Sequence, residues 1–155
     1  MRNNIGLDQA KSKELAIQLN DLLANYQLFY QNLRGFHWNI KGPKFFELHL
    51  KFEELYNDAV IKVDEIAERV LTLGETPLHT MESYVAQSEI KSIKSDNIQV
   101  EAVGHVIDNF STLIKKERLI LDLSGDANDE GTNSLMSDYI SQSEKTVWML
   151  SSFMR

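Results

Sequence analysis

Apolar residues in the first quarter of the chain recur at the spacing of an amphipathic α-helix. They are Leu15, Leu19, Leu22, Tyr26, Phe29 and Leu33, separated by steps of 4, 3, 4, 3 and 4 residues. Steps of this size place side chains on one face of a helix. The pattern therefore predicts a first helix from about Leu7 or Asp8 to about Trp38.

A second helix is predicted from Pro43 to Leu73, because no further proline or glycine interrupts that segment. Lys41-Gly42 precedes it and Gly74 follows it. Proline at the start of a helix and glycine just past its end are the usual arrangement. The join to the first helix is short, so we expect helices one and two to be antiparallel neighbours.

The third and fourth predicted helices share this periodicity. The positions that mark them are Val103, Ile107, Phe110 and Ile114 in the third, and Met136, Ile140, Ser143, Val147 and Leu150 in the fourth. They predict helices from about Asn97 to Leu123, closed by Gly125, and from about Thr132 to Phe153. These two helices are also expected to be antiparallel neighbours.

A long connection, Gly74–Asp96, separates helices two and three. It contains Thr76-Pro77 and a short helical stretch around Met81–Gln87. A connection of this length in a compact helical domain indicates a crossover along a bundle. The expected fold is all-α, a four-helix bundle with a crossover that carries a short helix.

Composition limits the class of protein. The chain has 155 residues with 16 Lys and Arg against 23 Asp and Glu, so its formal net charge is −7. This length suits a single domain over residues 1–155, and the acidic balance repels the DNA backbone. Because there is neither a membrane-length apolar run nor a secretory start, we expect a cytoplasmic protein. The absence of cysteine leaves the redox compartment open.

Four ligand-type side chains share one face of the second helix. With His49 at 0°, Glu53 falls at about 40°, Asp64 at about 60° and Glu68 at about 100° around the helix axis. We call these four residues the ligand stripe. His49 and Asp64 are nonetheless about 22 Å apart along the axis, so one copy of the helix does not bring them to a common ion.

A two-fold axis removes this difficulty. If the helix packs antiparallel on its own copy, with the axis near Asp58 and Ala59, the histidine end of one stripe meets the carboxylate end of the other. Such an isologous contact creates two equivalent sites per dimer. Ala59 is small and is expected to permit close approach.

Two imidazoles with carboxylates and no thiolate suit Fe(II), Mn(II) or Zn(II). A single histidine beside one carboxylate is more typical of a surface pair. Five such residues, counting His37 at the end of the first helix, favour a metal site but do not identify iron.

Three motifs lie in this region: H-W-N-I-K-G-P-x-F-F-x-L-H from His37 to His49, Y-N-D-A from Tyr56, and D-E-I-A-E-R from Asp64. They resemble the Dps family, the ferritin-like "DNA-binding proteins from starved cells", also called miniferritins. The close match covers about Asn32–Gly74, and the helix pattern extends it over nearly the whole chain. The resemblance implies a ferritin-like four-helix bundle.

The resemblance also implies a ferroxidase centre shared between subunits. His37, His49 and Glu53 would come from one subunit, and Asp64 and Glu68 from its two-fold mate. Many relatives carry Asp at the position of Glu53, so this chain departs from the family pattern there.

Trp38 matches an aromatic residue near that centre that would intercept oxidising equivalents. The alternative for Trp38 is a tryptophan packed at an interface. His79 and His105 lack the spacing of a partner ligand, so we interpret both as structural or surface residues.

Larger ferritins build a di-iron site inside one bundle from Glu-x-x-His motifs on paired helices. This sequence contains no Glu-x-x-His. An intrasubunit di-iron centre is therefore not expected.

The activity that the resemblance implies is oxidation of two Fe(II) ions per centre by hydrogen peroxide. The Fe(III) product would be stored in a hollow shell of twelve subunits. In such a shell Asp126, Asp129 and Glu130 would line pores that admit Fe(II), whereas the residues alone also fit a solvated acidic loop.

Two other functions remain open. A DNA-compacting protein of the same family would need a basic surface, but the first residues offer only Arg2, Lys11 and Lys13 as cations, and the last residue is Arg155. A helical assembly protein with a vestigial or zinc-filled site is the other alternative.

Overall fold

A computed structural model describes all 155 residues and contains five α-helices and no β-strands. The helices are α1 (Gln9–Asn39), α2 (Phe45–Thr72), α3 (Met81–Gln87), α4 (Glu101–Asp126) and α5 (Glu130–Phe153). This confirms the predicted all-α bundle, with α3 as the short helix in the crossover. None of the helices combines the length and the apolar character that a membrane span requires.

Helix α2 ends one residue before the predicted Leu73 and starts two residues after the predicted Pro43. Lys44 is its N-cap, and Gly42 just before it adopts φ +107°. At the other end Gly74 adopts φ +89°, and the Glu75 amide donates to the Val70 carbonyl at 3.1 Å. This is the glycine-dependent Schellman termination that the sequence indicated.

The end of α4 differs from the prediction. The helix continues through Gly125 to Asp126, and Asn128 takes the left-handed conformation with φ +56°. The Asp129 amide then donates to the Ser124 carbonyl at 2.8 Å. Asparagine tolerates this conformation because its short polar side chain forms local hydrogen bonds, so Asn128 rather than Gly125 closes the helix.

The core lies between the apolar faces of the four long helices. Its largest fully buried side chains include Tyr26, Phe29, Phe36 and Phe52. The rings of Phe29 and Phe110 meet edge to face with centroids 4.9 Å apart. These contacts fix α1 against α2 and α4, and so position the ends of α1 and α2 where the histidines lie.

Three asparagines of α1 bind the crossover to the bundle. They are Asn20, Asn25 and Asn32, and their main-chain partners are Thr76 and Leu78 for Asn20, Glu89 and Ile90 for Asn25, and Lys91 and Ile93 for Asn32. Each amide side chain satisfies backbone groups that have no secondary-structure partner. A long irregular segment can therefore lie against the bundle without unpaired polar groups.

One carboxyl group is buried in the middle of the bundle. Glu117 of α4 is fully buried, and its Oε2 accepts a 2.7 Å hydrogen bond from the Tyr26 hydroxyl. Its Oε1 has no partner. Burial is the main cause that raises the pKa of Glu117 to about 7, although Tyr26 and Lys62 oppose the shift.

We predict that Glu117→Gln raises the thermal unfolding midpoint at pH 8. The pKa of Glu117 is higher in the folded than in the unfolded chain, so the folded chain holds the proton on Glu117 more tightly. The folded chain therefore loses stability as the pH rises through about 7 and this proton is released. Glutamine carries no charge and retains an oxygen for Tyr26. The substitution should increase the free energy of unfolding by about 1–3 kcal/mol at pH 8, and this increase should vanish near pH 5.

Glu144→Gln serves as the matched control, because Glu144 pairs with Arg118 in a half-exposed ion pair. That substitution should change the midpoint little at either pH. Equal effects of the two substitutions, or a Glu117→Gln effect independent of pH, would contradict the prediction.

Candidate metal centre

The α1–α2 hairpin brings His37 and His49 together. His37 lies in the last turn of α1 and His49 in the second turn of α2. Their rings stack with centroids 3.8 Å apart and planes inclined by 12°. Two imidazoles thus lie side by side at one end of the subunit.

Each ring is held by the main chain of the other histidine. The Nδ1 of His37 lies 2.6 Å from the His49 carbonyl oxygen, and the Nδ1 of His49 lies 2.7 Å from the His37 carbonyl oxygen. A carbonyl oxygen only accepts hydrogen bonds, so both Nδ1 atoms carry the hydrogen. In the neutral rings both Nε2 atoms then keep a free lone pair, which is the form that binds a metal.

Glu53 lies beside this pair. Its Oε1 is 3.8 Å from the His37 Nε2, and its side chain is 44% exposed. The Tyr56 ring packs edge-on against the His37 ring with centroids 5.4 Å apart. The structure therefore places His37 beside both His49 and Glu53. It adds Tyr56, the first residue of the Y-N-D-A motif, to which no role was assigned from the sequence.

Asp64 and Glu68 form the other half of the ligand stripe, farther along α2. Both are exposed, and their carboxyl groups lie close together. A hydrogen bond that protonated Glu68 donates to Asp64, and then the charge of Asp64, raise the pKa of Glu68. Two neighbouring carboxylates repel each other, and a cation bound between them would relieve that repulsion. Within one chain no three His, Asp or Glu side chains converge on a point that could hold a metal ion.

The ligand stripe is flanked by exposed apolar side chains. They are Phe46, Leu50, Val60, Ile61 and Leu71, and Phe46 is 82% exposed. All five lie at about 20–120° on the helical wheel that carries the four ligands. Large exposed apolar side chains gathered on one face of a helix are typical of an interaction site.

The exposed apolar residues and the ligands are arranged symmetrically about the same point of α2. The midpoint between residues 58 and 59 is equidistant from Phe46 and Leu71, just as it is from His49 and Glu68. An antiparallel pair of α2 helices about that midpoint would therefore bury Phe46 against the partner's end of the helix while it brings the two ligand halves together.

The expectation for Ala59 is wrong. Ala59 is only 1% exposed and faces the core of its own bundle. It lies about 80° away from His49 on the side opposite to the ligand stripe, so it is not available for a contact between helices. Asn57 and Val60 occupy the middle of the exposed face instead.

Trp38 is 56% exposed and is not packed in the core of its own subunit. The Arg34 guanidinium lies 4.9 Å from the Trp38 ring centroid and 5.2 Å from that of Tyr30. Both interpretations of Trp38, a neighbour of the centre and an interface residue, are compatible with this position.

The acidic segment between α4 and α5 contains two kinds of carboxylate. Asp126 and Glu130 are exposed, but Asp129 is 1% exposed. Asp129 is the N-cap of α5, and its Oδ1 accepts from the Thr132 amide at 3.0 Å and pairs with the Arg69 guanidinium at 2.7 Å. Its charge is therefore compensated inside the subunit, so the expectation that Asp129 lines a pore or a solvated loop is wrong.

The two remaining histidines lie apart from the pair. His79 is exposed, and its Nδ1 is 3.0 Å from the Pro77 carbonyl oxygen. The His105 ring stacks on the core residue Phe36 with centroids 6.2 Å apart. These positions agree with the surface and structural roles expected from the sequence.

Comparison with known proteins shows that the chain is similar to proteins with a ferritin-like domain. The family model of the ferritin-like domain matches residues 17–155. A protein of Porphyromonas gingivalis named DNA protection during starvation protein is 40% identical over 148 residues, 96% of this chain and 93% of that protein. A protein of the same name from Brevibacillus brevis is 37% identical over 140 residues, 90% of this chain and 94% of that protein.

A solved structure is similar over almost the whole chain. It is the crystal structure of a Dps protein from Vibrio cholerae O1, described as a member of a broad superfamily of ferritin-like diiron-carboxylate proteins. The TM-score is 0.97 at 50% sequence identity, covering 99% of this chain and 97% of that one.

We predict that Asp129→Asn and Asp126→Asn have different effects. Asp129→Asn removes the buried partner of Arg69 and should lower the free energy of unfolding by about 1–3 kcal/mol. Asp126→Asn alters an exposed side chain and should change it by less than about 0.5 kcal/mol. Thermal unfolding of the two variants measures the difference, and equal midpoints would show that Asp129 has no structural role.

Proposed function

We propose that this chain, which belongs to the Dps group of the ferritin-like family, is a ferroxidase that oxidises Fe(II) at centres between subunits and sequesters the Fe(III) product. The family match supports a diiron-carboxylate type of chemistry. The observation that carries the proposal is the histidine pair, because both Nε2 atoms are free to bind a metal while both Nδ1 atoms are engaged.

In the proposed centre, His37, His49 and Glu53 of one subunit face Asp64 and Glu68 of its two-fold mate. The exposed apolar face around the ligand stripe supports this pairing, since the two helices would bury it against each other. Each dimer would then hold two equivalent centres. The substrate is a pair of Fe(II) ions at each centre, and zinc would compete for the same ligands.

Hydrogen peroxide is the oxidant in this proposal. Two Fe(II) ions each give one electron, the O–O bond breaks, and two protons are taken up to yield two water molecules and two Fe(III) ions. Because both electrons are delivered together, no hydroxyl radical is released. Hard carboxylate ligands favour Fe(III), which contributes to the driving force.

The remaining parts of the proposal concern assembly. As the family resemblance implies, twelve subunits would form a shell around a cavity. The Fe(III) product would mineralise inside that cavity, and the shell would lie in the cytoplasm. The exposed Asp126 and Glu130 near the α4–α5 turn would attract Fe(II) to a pore. Asp129 does not belong to that set.

We predict that His49→Ala lowers the rate of Fe(II) oxidation by hydrogen peroxide by at least about tenfold, because one ligand of each centre is lost. Ferric absorbance after anaerobic loading with Fe(II) measures the rate, and the wild-type protein should consume about two Fe(II) per peroxide in that assay, as the electron balance requires. His79→Ala is the matched control, because His79 is exposed and lies outside the centre.

The iron should also stay soluble with the wild-type protein after oxidation. A wild-type rate in His49→Ala, with the oligomer intact, would refute the assigned ligands. Slow oxidation and precipitated iron in the wild-type protein would refute the ferroxidase itself and favour a structural or zinc-binding assembly.

DNA compaction is the alternative function, and we expect it to be absent. The net charge is −7, and two cations of the N-terminal segment are engaged: Arg2 donates to the Gly6 carbonyl and Lys11 to the Asp126 carbonyl. We predict no gel shift of double-stranded DNA at physiological salt and neutral pH. A salt-sensitive shift under those conditions would contradict this expectation.

A further inference from the structure

A row of polar contacts joins α2 to α5 along the turns that carry Asp64 and Glu68. The contacts are Lys62 Nζ to Gln142 Oε1 at 3.0 Å, the Tyr139 hydroxyl to Glu65 Oε1 at 2.8 Å, Arg69 Nη2 to Asp129 Oδ1 at 2.7 Å and Arg69 Nε to Thr132 Oγ1 at 2.8 Å. We call this row the polar zipper. It shares none of the contacts between α1 and α2 that hold the histidines.

The zipper and the carboxylate ligands alternate along the helix. Lys62, Glu65 and Arg69 are three and four residues apart, so they lie on one face of α2. Asp64 immediately precedes Glu65, and Glu68 immediately precedes Arg69. Each carboxylate ligand is therefore one residue from a side chain that is hydrogen-bonded to α5.

The two halves of the proposed centre are held in different ways. The histidines are oriented by each other's main chain, whereas Asp64 and Glu68 have no polar contact with another element. The apolar packing of Ile66 and Val70 beneath them is non-directional. Hydrogen bonds are directional, so the zipper adds a directional restraint on the rotation of this part of α2 about its axis.

The Arg69 contact depends on a glycine. Gly131 lies in the first turn of α5, and a Cβ at that position would stand 2.7–2.9 Å from the Arg69 guanidinium atoms. Any larger residue would force the guanidinium to shift from its place beside Asp129 and Thr132. The space over Gly131 is thus filled by the side chain of Arg69, the residue that follows the proposed ligand Glu68.

We propose that the polar zipper positions the carboxylate half of the metal centre, with Arg69 and Tyr139 as the main positioning residues. The inference rests on the proposed function, because it concerns the same centre. Neither residue touches the metal: each holds the turn of α2 from which Asp64 or Glu68 extends. Groups hydrogen-bonded directly to metal ligands commonly alter metal affinity by about 10–100-fold when removed. Here the restraint acts one residue away along the helix, so we expect an effect at the lower end of that range.

The test is anaerobic titration of the assembled, metal-free protein with Co(II), whose visible spectrum reports the number and arrangement of its ligands. Tyr139→Phe removes only the hydroxyl that binds Glu65, and Gly131→Ala displaces Arg69 without changing any charge. Both variants should bind Co(II) about tenfold more weakly and with an altered spectrum, while the oligomer remains assembled.

Two matched controls separate positioning from general stability. Tyr26→Phe also removes a buried phenol–carboxylate hydrogen bond, to Glu117 of α4 at 2.7 Å, but it does not involve α2. Gly104→Ala introduces a Cβ where no atom lies within 4 Å. Both controls should keep wild-type Co(II) affinity and spectrum even where the unfolding temperature changes.

Wild-type Co(II) binding in both Tyr139→Phe and Gly131→Ala would overturn the zipper proposal and leave the proposed function intact. Equal weakening in the controls would also overturn it. If the wild-type protein binds no Co(II), or binds it with an affinity that His49→Ala does not change, the centre itself is refuted and the zipper proposal falls with it.

Discussion

Helix α2 must satisfy three sets of partners at once, and the rest of the structure follows from that constraint. One face, with Phe52 and Ile66, is buried in the bundle core. A second face forms the polar zipper to α5, and a third presents the ligand stripe. The helical period of about 3.6 residues allows one continuous segment to serve all three. A change in the rotation of α2 would disturb packing, zipper and ligands together.

The long helices and the ligand stripe could be predicted from the sequence because both depend on local periodicity. Apolar steps of three and four residues locate a helix, and the same period places His49 and Glu68 on one side of it. What periodicity does not provide is the direction in which that side points. Ala59 illustrates the limit: it lies at the midpoint between the ligands along the chain, but it faces the core.

The contacts that the sequence did not reveal involve polar residues whose partners are distant along the chain. Asp129 looked like one of three similar carboxylates, and only the fold shows that Arg69, 60 residues earlier, neutralises it. Asn25 and Glu117 are equally unremarkable in the sequence, although one binds the crossover and the other is buried without full hydrogen bonding. Long-range pairing of this kind depends on the packing of helices, which no single segment encodes.

The reciprocal hydrogen bonds of the histidine pair make the two ligands separable. Each ring donates to the carbonyl oxygen of the other residue, not to its side chain. That carbonyl is present whichever amino acid occupies the position, so the loss of one imidazole leaves the acceptor of the other in place. A lineage that replaces one of these histidines therefore keeps the hydrogen bond that orients the other imidazole, although the stacked ring is lost. The remaining imidazole can persist as a single metal ligand while the other position changes.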